Sequence, residues 1–595
     1  MKKITHCYFA ICAVLLMGIM SGLSGCSGPN SSQNLPDISV TASQTENVQN
    51  GQTITLTFQK NSSDNLTNAP KITVSTNAQA SFPQGNTCRI TNKTCALQVL
   101  IGTNSNGNYT FRFSVENATI SPSVLRFSIL NAIVSSLKSI GASEYDFTLP
   151  NPGLGSEVAI SFSDSALKDV VNNDIADVFG ASVSDTGVCR VTENSDKNGY
   201  IINFTSSSGD CNLQLYSTIK STIETKGTII FSHDNQSQTY DYTNQGYLLA
   251  GGRSFNQNSN GGYDTFNTYA NGSWGTANSA GGLDGTIYAL AVGTDGTIYA
   301  GGSSSETNST GSFNTFNTYA NGSWGTANSD SGLNLTIYAL AVGTDSTIYA
   351  GGISFETNTF NTYANGSWGT ANSAGGLDGT IFALAVGTNG TIYAGGSSSE
   401  TNSTGSYDTF NTYVNGSWGT ANSAGGLDGT IYALAVGTDG TIYAGGISSE
   451  INSTGGYDTF NTYANGSWGT ANSDSGLDLI IHALAVGTNG TIYAGGSSSE
   501  TNSTGSYDTF NIYANGSWGT ANSAGGLDGT IFALAVGTNG TIYAGGISAF
   551  RNSTGGHETF NTYVNGSWST ANSDSGLNLT IYALAFYNKL NIVGQ

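Results

Sequence analysis

Beyond Gly246 the apolar and polar positions recur with a fixed period, and inside one period the strands can be read directly. TIYALAVG, Thr286 to Gly293, is apolar at consecutive positions: Ile287, Ala289 and Ala291 fall on one face of an extended chain, Tyr288, Leu290 and Val292 on the other. That pattern predicts a strand covered on both sides, strand a. Asp295-Gly296 follows, a pair that tolerates the positive φ angles of a two-residue hairpin, and leads into TIYAGG, strand b. After a polar stretch of about ten residues comes strand c, typified by YDTFNTYA, and Asn271-Gly272 or its equivalent turns c into strand d, SWGTA.

The seven tryptophans, Trp274, Trp324, Trp368, Trp418, Trp468, Trp518 and Trp568, mark one period each and lie 50, 44, 50, 50, 50 and 50 residues apart. Four antiparallel strands per period make one blade of a β-propeller. The short period lacks its residues between Thr357 and Phe360, which marks the b-c segment as a surface loop that accepts deletion. The array opens at Tyr247 with strands b, c and d and closes with an extra strand a, Thr580 to Phe586. Paired in space, these ends complete a seventh blade and remove two sheet edges. The expectation is a seven-bladed β-propeller over 244–595. A parallel β-helix is the rival, but its coils do not hold two tight hairpins each. The tail YNKLNIVGQ either pairs as a further strand or hangs free.

Upstream, short alternating runs such as ITLTF, KITVS and YTFRFSV, separated by Asn, Gly and Pro, predict two β-sandwiches of immunoglobulin-like size, over 37–130 and 131–243. The fold class is thus all-β. Each sandwich holds two cysteines, Cys88 and Cys95 in the first, Cys189 and Cys211 in the second. An even number in an exported chain suggests disulfides, with three connectivities open. The shared pattern, a cysteine at each end of a hairpin with Leu-Gln shortly after the second, favours Cys88–Cys95 and Cys189–Cys211, each clamping its own hairpin.

Lys2 and Lys3 precede an apolar run from Cys7 to Met20, too short to span a bilayer, and Leu23-Ser24-Gly25-Cys26 follows. That tetrapeptide resembles the lipobox of bacterial lipoproteins. The resemblance implies a leader over 1–25 that is removed, lipidation of Cys26, a tether over 26–36, and a stable membrane anchor carried by the acyl chains. Ser27 in place of Asp implies, by the same resemblance, sorting to the outer membrane of the cell envelope.

The formal net charge is −22 with 17 Lys and Arg in 595 residues, so no basic stripe exists to neutralise phosphates and nucleic acid is excluded as a partner. After Gly252 the only cationic side chains are Arg253, Arg551 and Lys589. This departs from the arginine cluster of sialidase-like propellers. No Ser-His-Asp arrangement clusters, and His482 and His557 are too few for a zinc site. An enzyme is not expected, and neither is a cofactor or metal.

GTDGTIYAGG resembles blades of bacterial sensor-type and kelch-like propellers, with Tyr299 where many of those carry Trp. The resemblance covers the array and implies a fold, not an activity. In an a-b-c-d blade the a-b and c-d turns share one side of the disc and the b-c and d-a segments the other. That second side holds Glu306, Glu400, Glu450 and Glu500 in b-c, and Asp284, Asp378, Asp428, Asp478 and Asp528 in d-a. At the start of strand c stand the candidate ligand pairs Tyr263-Asp264, Tyr407-Asp408, Tyr457-Asp458 and Tyr507-Asp508. An aromatic ring beside a carboxylate and amides suits a sugar, the ring covering its apolar face, and repetition adds avidity. The layout is similar to that of propeller lectins. The competing reading packs each Tyr against the neighbouring blade and leaves the acids to solubility. The tryptophans read as packing residues. His482, and His557-Glu558 with Arg551, break the repeat and mark where one blade differs. Two functions follow: a lipid-anchored envelope protein binding glycans multivalently, or an envelope scaffold for a protein partner.

Overall fold

The computed structural model describes residues 38–594 except 44–52, 62–69, 77–79, 92, 102–106, 116–118, 130–132, 164–177, 235, 256, 258, 260, 321, 400, 402, 404, 454, 499–500 and 502–504. The leader, the tether and Cys26 lie outside the described residues, as do Glu400 and Glu500. The described chain is all-β, with only single-turn 3₁₀ segments beside the strands. It divides into two compact units, 1–131 and 132–595.

In the first unit, strand alternation places one face of each sheet inward. Ile54, Leu56 and Phe58, alternate residues of Thr53–Lys60, are fully buried. One sheet runs Ala80–Ser81, Thr94–Ile101, Thr53–Lys60, Ile38–Ala42, Ile120–Ser121, and the other Thr87–Arg89, Lys71–Thr76, Gly107–Val115, Val124–Ile129. Both supply one core that includes Ile72, Val74, Val99 and Phe111.

The second unit begins with a comparable pair of sheets around Phe147, Phe179, Phe204, Phe231, Leu213 and Leu215. The two disulfides join Cys88 to Cys95 and Cys189 to Cys211. Contrary to what the cysteine spacing predicts, neither bridge clamps a hairpin of its own. Thr87–Arg89 pairs with Lys71–Thr76 while Thr94–Ile101 pairs with Thr53–Lys60, so the first bridge ties one sheet to the other. Cys189–Glu193 and Cys211–Ser217 likewise belong to different sheets.

Seven four-stranded groups follow, named here sheets I to VII. Sheet I is Thr286–Val292, Ile298–Ser303, Phe316–Ala320 and Ser323–Trp324, in the order a-b-c-d. Sheets II to VI repeat it, with strand a at Thr336–Val342, Thr380–Val386, Thr430–Val436, Ile480–Val486 and Thr530–Val536. Asn271 and Gly272, at φ 49° and 79°, make the c-d hairpin tight, as the Asn-Gly pair requires. The a-b connection is wider than a two-residue turn. Gly293 N–H donates to Thr297 O at 2.8 Å, only Gly296 takes a positive φ, and Asp295 Oδ1 accepts the Thr297 N–H at 2.9 Å.

Sheet VII is assembled from both ends of the array. Thr580–Gly594 pairs antiparallel with Gln236–Arg253 from Thr580↔Arg253 to Gly594↔Tyr240, and Gln236–Arg253 also pairs with Phe266–Ala270. The first half of that long strand belongs equally to the sandwich, through Thr225–His233. The tail therefore pairs as a strand, and its Leu590 and Ile592 enter the sandwich core. One sheet of the sandwich and sheet VII form one continuous sheet.

Neighbouring sheets meet through three repeated contacts. A Cβ on Gly301 of strand b would overlap Ile337 Cγ2 of the next sheet, and the same glycine-isoleucine fit recurs from Gly251-Ile287 to Gly545-Ile581. The buried Phe of each strand c meets the next Trp edge-on, from Phe266–Trp324 at 4.9 Å to Phe560–Trp274 at 4.8 Å. The Asn after that Phe is 1–2% exposed. Its amide bonds the adjoining d-a turn, as in Asn317 Nδ2 to Ala280 O at 2.9 Å.

Candidate functional site

Three regions position chemistry. The first is made by the start of strand a. The register of each a-b pair shifts between Ile287 and Ala289 and their counterparts, which leaves Tyr288 outside the ladder. Simple alternation put Tyr288 on one face with Leu290. The bulge instead lets it meet its equivalents. Tyr288, Tyr338, Phe382, Tyr432, His482, Phe532 and Tyr582 contact one another in turn at 4.8 to 5.0 Å, and Tyr582 returns to Tyr288 at 4.8 Å. A cavity of about 200 Å³ lies among these rings and the adjoining Ala and Leu residues. Burial lowers the His482 pKa to about 4 and raises that of Tyr288, the latter with help from Tyr582 and Tyr338.

The second region is the b-c segment. In every sheet but the shortened sheet II its arms bridge, at Thr307↔Phe313, Ile451↔Tyr457 and equivalents, so it is a small hairpin. Asn308 Oδ1 accepts the N–H groups of Thr310 and Ser312, both at 3.0 Å, and sets the bend. The predicted Tyr-Asp pairs sit at its foot. Tyr263 N–H donates to Asp284 O at 2.8 Å, Tyr407 to Asp428 O at 3.1 Å, and Tyr457 to Asp478 O at 2.8 Å. Asp264, Asp408, Asp458 and Asp508 donate their N–H groups to the hydroxyls of Ser254, Ser398, Ser448 and Ser498. The Tyr507 side chain is exposed.

The d-a acids are tied down too. Asp284 Oδ1 accepts from Ser305 N–H at 2.9 Å, Asp378 from Ser399, Asp428 from Ser449, and Asp528 from Ala549. Burial works against the charge of Asp428, but hydrogen bonds from Ser406 and Ser449 hold its pKa below the ordinary carboxylate value. Tyr, Asp and d-a acid thus meet within one repeat. Trp368 and Trp518 line inter-sheet clefts of about 390 and 350 Å³, with Asp330 and Asp474 respectively.

The third region is where the second sandwich meets the array. Ala142 N–H donates to Asp295 O at 3.2 Å, Thr538 N–H to Lys220 O at 2.9 Å, and Asn271 N–H to Thr222 O at 2.7 Å. Thr222 and Tyr543 hydroxyls lie 3.1 Å apart. Asp295 and Thr538 belong to a-b turns and Asn271 to a c-d turn, so the sandwich abuts the short-turn side. Among the described residues no group of three or more His, Cys, Asp and Glu is placed to hold a metal ion. No helix among them is long and apolar enough to cross a membrane.

No family model matches the chain, and no curated protein does. Among solved structures, virginiamycin B lyase from Staphylococcus aureus aligns over 53% of this chain and 96% of its own, at TM-score 0.36 and 9% identity. The adhesin InvE of Yersinia pseudotuberculosis aligns over 45% of this chain and 68% of its own, at TM-score 0.17 and 10% identity. The D0-D1 domain of intimin covers 34% of this chain and 91% of itself, at TM-score 0.13 and 12% identity. Likenesses this distant carry no argument about what the chain binds.

Proposed function

We propose that residues 244–595 are a closed seven-bladed β-propeller carried by two immunoglobulin-like sandwiches, and that the chain is a lipoprotein of the bacterial outer membrane held by Cys26. Its activity is non-catalytic, multivalent binding of glycans on the b-c and d-a side. Closure is supported by the aromatic circuit: seven upright rings related by rotation turn by about 51° from one to the next, and the interplanar angles here run from 42° to 59°.

One observation carries the binding side: the sandwich nearest the array occupies a-b and c-d turns, which leaves the hairpins with their Tyr, Asp and Asn groups on the opposite side. A propeller held by one side presents the other. Binding of the full chain bearing Cys26→Ser to a glycan array tests this. Weak binding strengthened by clustered sugars is expected, and no binding to any glycan would overturn it. Metabolic labelling with palmitate, lost in Cys26→Ser, tests the anchor.

Exposed apolar side chains on the b-c segments, Phe355 and Ile451 at 60% and Phe550 at 70%, favour the second reading, a scaffold for a protein partner. Crosslinking from Phe355 to one defined envelope protein would support it.

A further inference from the structure

The array repeats one surface seven times, and at a single junction that surface gains cationic side chains. Sheets VI and VII meet there. The b-c segments of sheets I, II and IV carry Glu306, Glu356 and Glu450, whereas sheet VI has Phe550 at that position and Arg551 after it. Sheet VII has Arg253 where the others have Ser or Ile. Two of the three cations beyond Gly252 therefore fall at one junction of a chain whose net charge is −22.

The structure brings them onto one hairpin. The Arg253 guanidinium lies 3.8 Å from the Tyr263 ring centroid, and Arg551 of sheet VI reaches across to lie 4.5 Å from that of Phe255. Phe255 is itself fixed, its N–H donating to Asn578 Oδ1 at 2.6 Å. Among the described residues neither guanidinium pairs with a carboxylate. Arg551 gives one N–H to Gly555 O at 3.3 Å, and Arg253 Nε is buried without a partner. A guanidinium resting on a ring engages through its face and keeps its in-plane N–H fork for an anion. Phe255, 38% exposed, and Phe550, 70% exposed, add apolar surface beside the forks.

We propose that this junction is a single, specialised site for a carboxylated sugar: its carboxylate on the Arg253 and Arg551 forks, its ring against the exposed phenylalanines. The site rests on the glycan-binding reading and names the sugar class for one of its positions. A neutral sugar leaves both forks unused, whereas a carboxylate gains charge-assisted, two-pronged hydrogen bonds.

Titration calorimetry of the full chain bearing Cys26→Ser against D-glucuronate and N-acetylneuraminate, each beside its methyl ester, tests the site. The free acid binds at least about tenfold more tightly than its ester, and salt weakens only the acid. Arg551→Gln and Arg253→Gln each abolish the preference with unchanged thermal melting, Arg551→Lys restores part of it, and Asp345→Asn in the a-b turn of sheet II, on the opposite side, leaves it intact. Equal binding of acid and ester, or an acid preference that survives both glutamine variants, overturns this site while glycan binding stands. Absence of binding to either acid and to a neutral glycan array overturns both.

Discussion

Asn267 donates its amide to the Ser575 carbonyl at 2.7 Å across 308 residues of chain, and both residues are buried. The same bond recurs inside the array, where Asn511 reaches Ser475 O at 2.6 Å and Asn361 reaches Ser331 O at 2.6 Å. The junction between the first and last repeats is therefore built like the others. In an open superhelix the terminal repeats are atypical and lack one neighbour. Here Asn267 also donates to Gly275 O at 3.0 Å and accepts from Thr268 N–H at 2.8 Å.

Asn267→Ala accordingly strands two carbonyls and one N–H in a dry junction. It is expected to cost about 2 to 4 kcal/mol. Asn461→Ala, at the junction of sheets III and IV, should cost the same, since Asn461 makes the equivalent bonds to Ala424, Gly425 and Gly469. Urea unfolding of the two variants measures the comparison. A much smaller loss at Asn267 argues against closure.

Gly301 is expected to resist enlargement for a packing reason. Its φ is ordinary, but a methyl group would meet Ile337 Cγ2, Ile337 Cβ and Leu340 Cδ1 of the next sheet. Gly301→Ala should destabilise by about 1 to 3 kcal/mol through overpacking. Gly311 is the contrast: at φ +80° with open space around it, Gly311→Ala costs about 1 kcal/mol, from backbone strain alone. Thermal melting of both variants separates the mechanisms.

Much of this architecture was legible because it rests on local chemistry repeated seven times. The Asn-Gly turns, the two-sided apolar strand a and the complementary ends Tyr247 and Thr580 are readable in any one repeat or at its margins. What escaped depends on partners distant in sequence. A one-residue bulge at Ile287/Ala289 leaves the alternation of TIYALAV intact, so nothing in it signals that Tyr288 joins a ring circuit. The cysteine spacing suggested hairpins, yet the flanking strands pair elsewhere, into opposite sheets. Of the candidate residues, Tyr263, Tyr407 and Tyr457 stand beside Asp284, Asp428 and Asp478 of the same repeat. The stacking of Arg551 on Phe255 was hidden because the two residues are joined only by the junction of sheets VI and VII.

The C-terminal strand predicts coupling between sandwich and array. Ile592 is buried in the sandwich core, while Ile581 of the same strand is fully buried against Gly545 of sheet VI. Ile592→Ala should cost about 2 to 4 kcal/mol from cavity formation. Because Gln236–Arg253 and Thr580–Gly594 run through both parts, the loss should lower one shared transition. Differential scanning calorimetry reads this, and a sandwich transition that shifts alone while the array melts as before contradicts the coupling.

His482 gives stability a distinct acid limb. It stands between Tyr432 and Phe532 with ring centroids 4.9 and 4.8 Å away, and burial lowers its pKa from 6.5 to about 4. The folded protein holds the ring neutral, whereas the unfolded chain takes up a proton near pH 6.5. The neutral ring's full contribution is therefore present above that pH and is lost as pH falls towards 4. The loss amounts to about 2 kcal/mol by pH 5 and about 3 kcal/mol by pH 4. His482→Tyr restores the residue found at Tyr288, Tyr338, Tyr432 and Tyr582 and has no such limb. Urea unfolding at pH 7.5 and pH 5 should therefore show the variant gaining on the parent by about 2 kcal/mol at the lower pH. Carboxylate titration is common to both chains and cancels in that difference, so a gap that does not change with pH would mean that His482 is protonated inside the ring circuit.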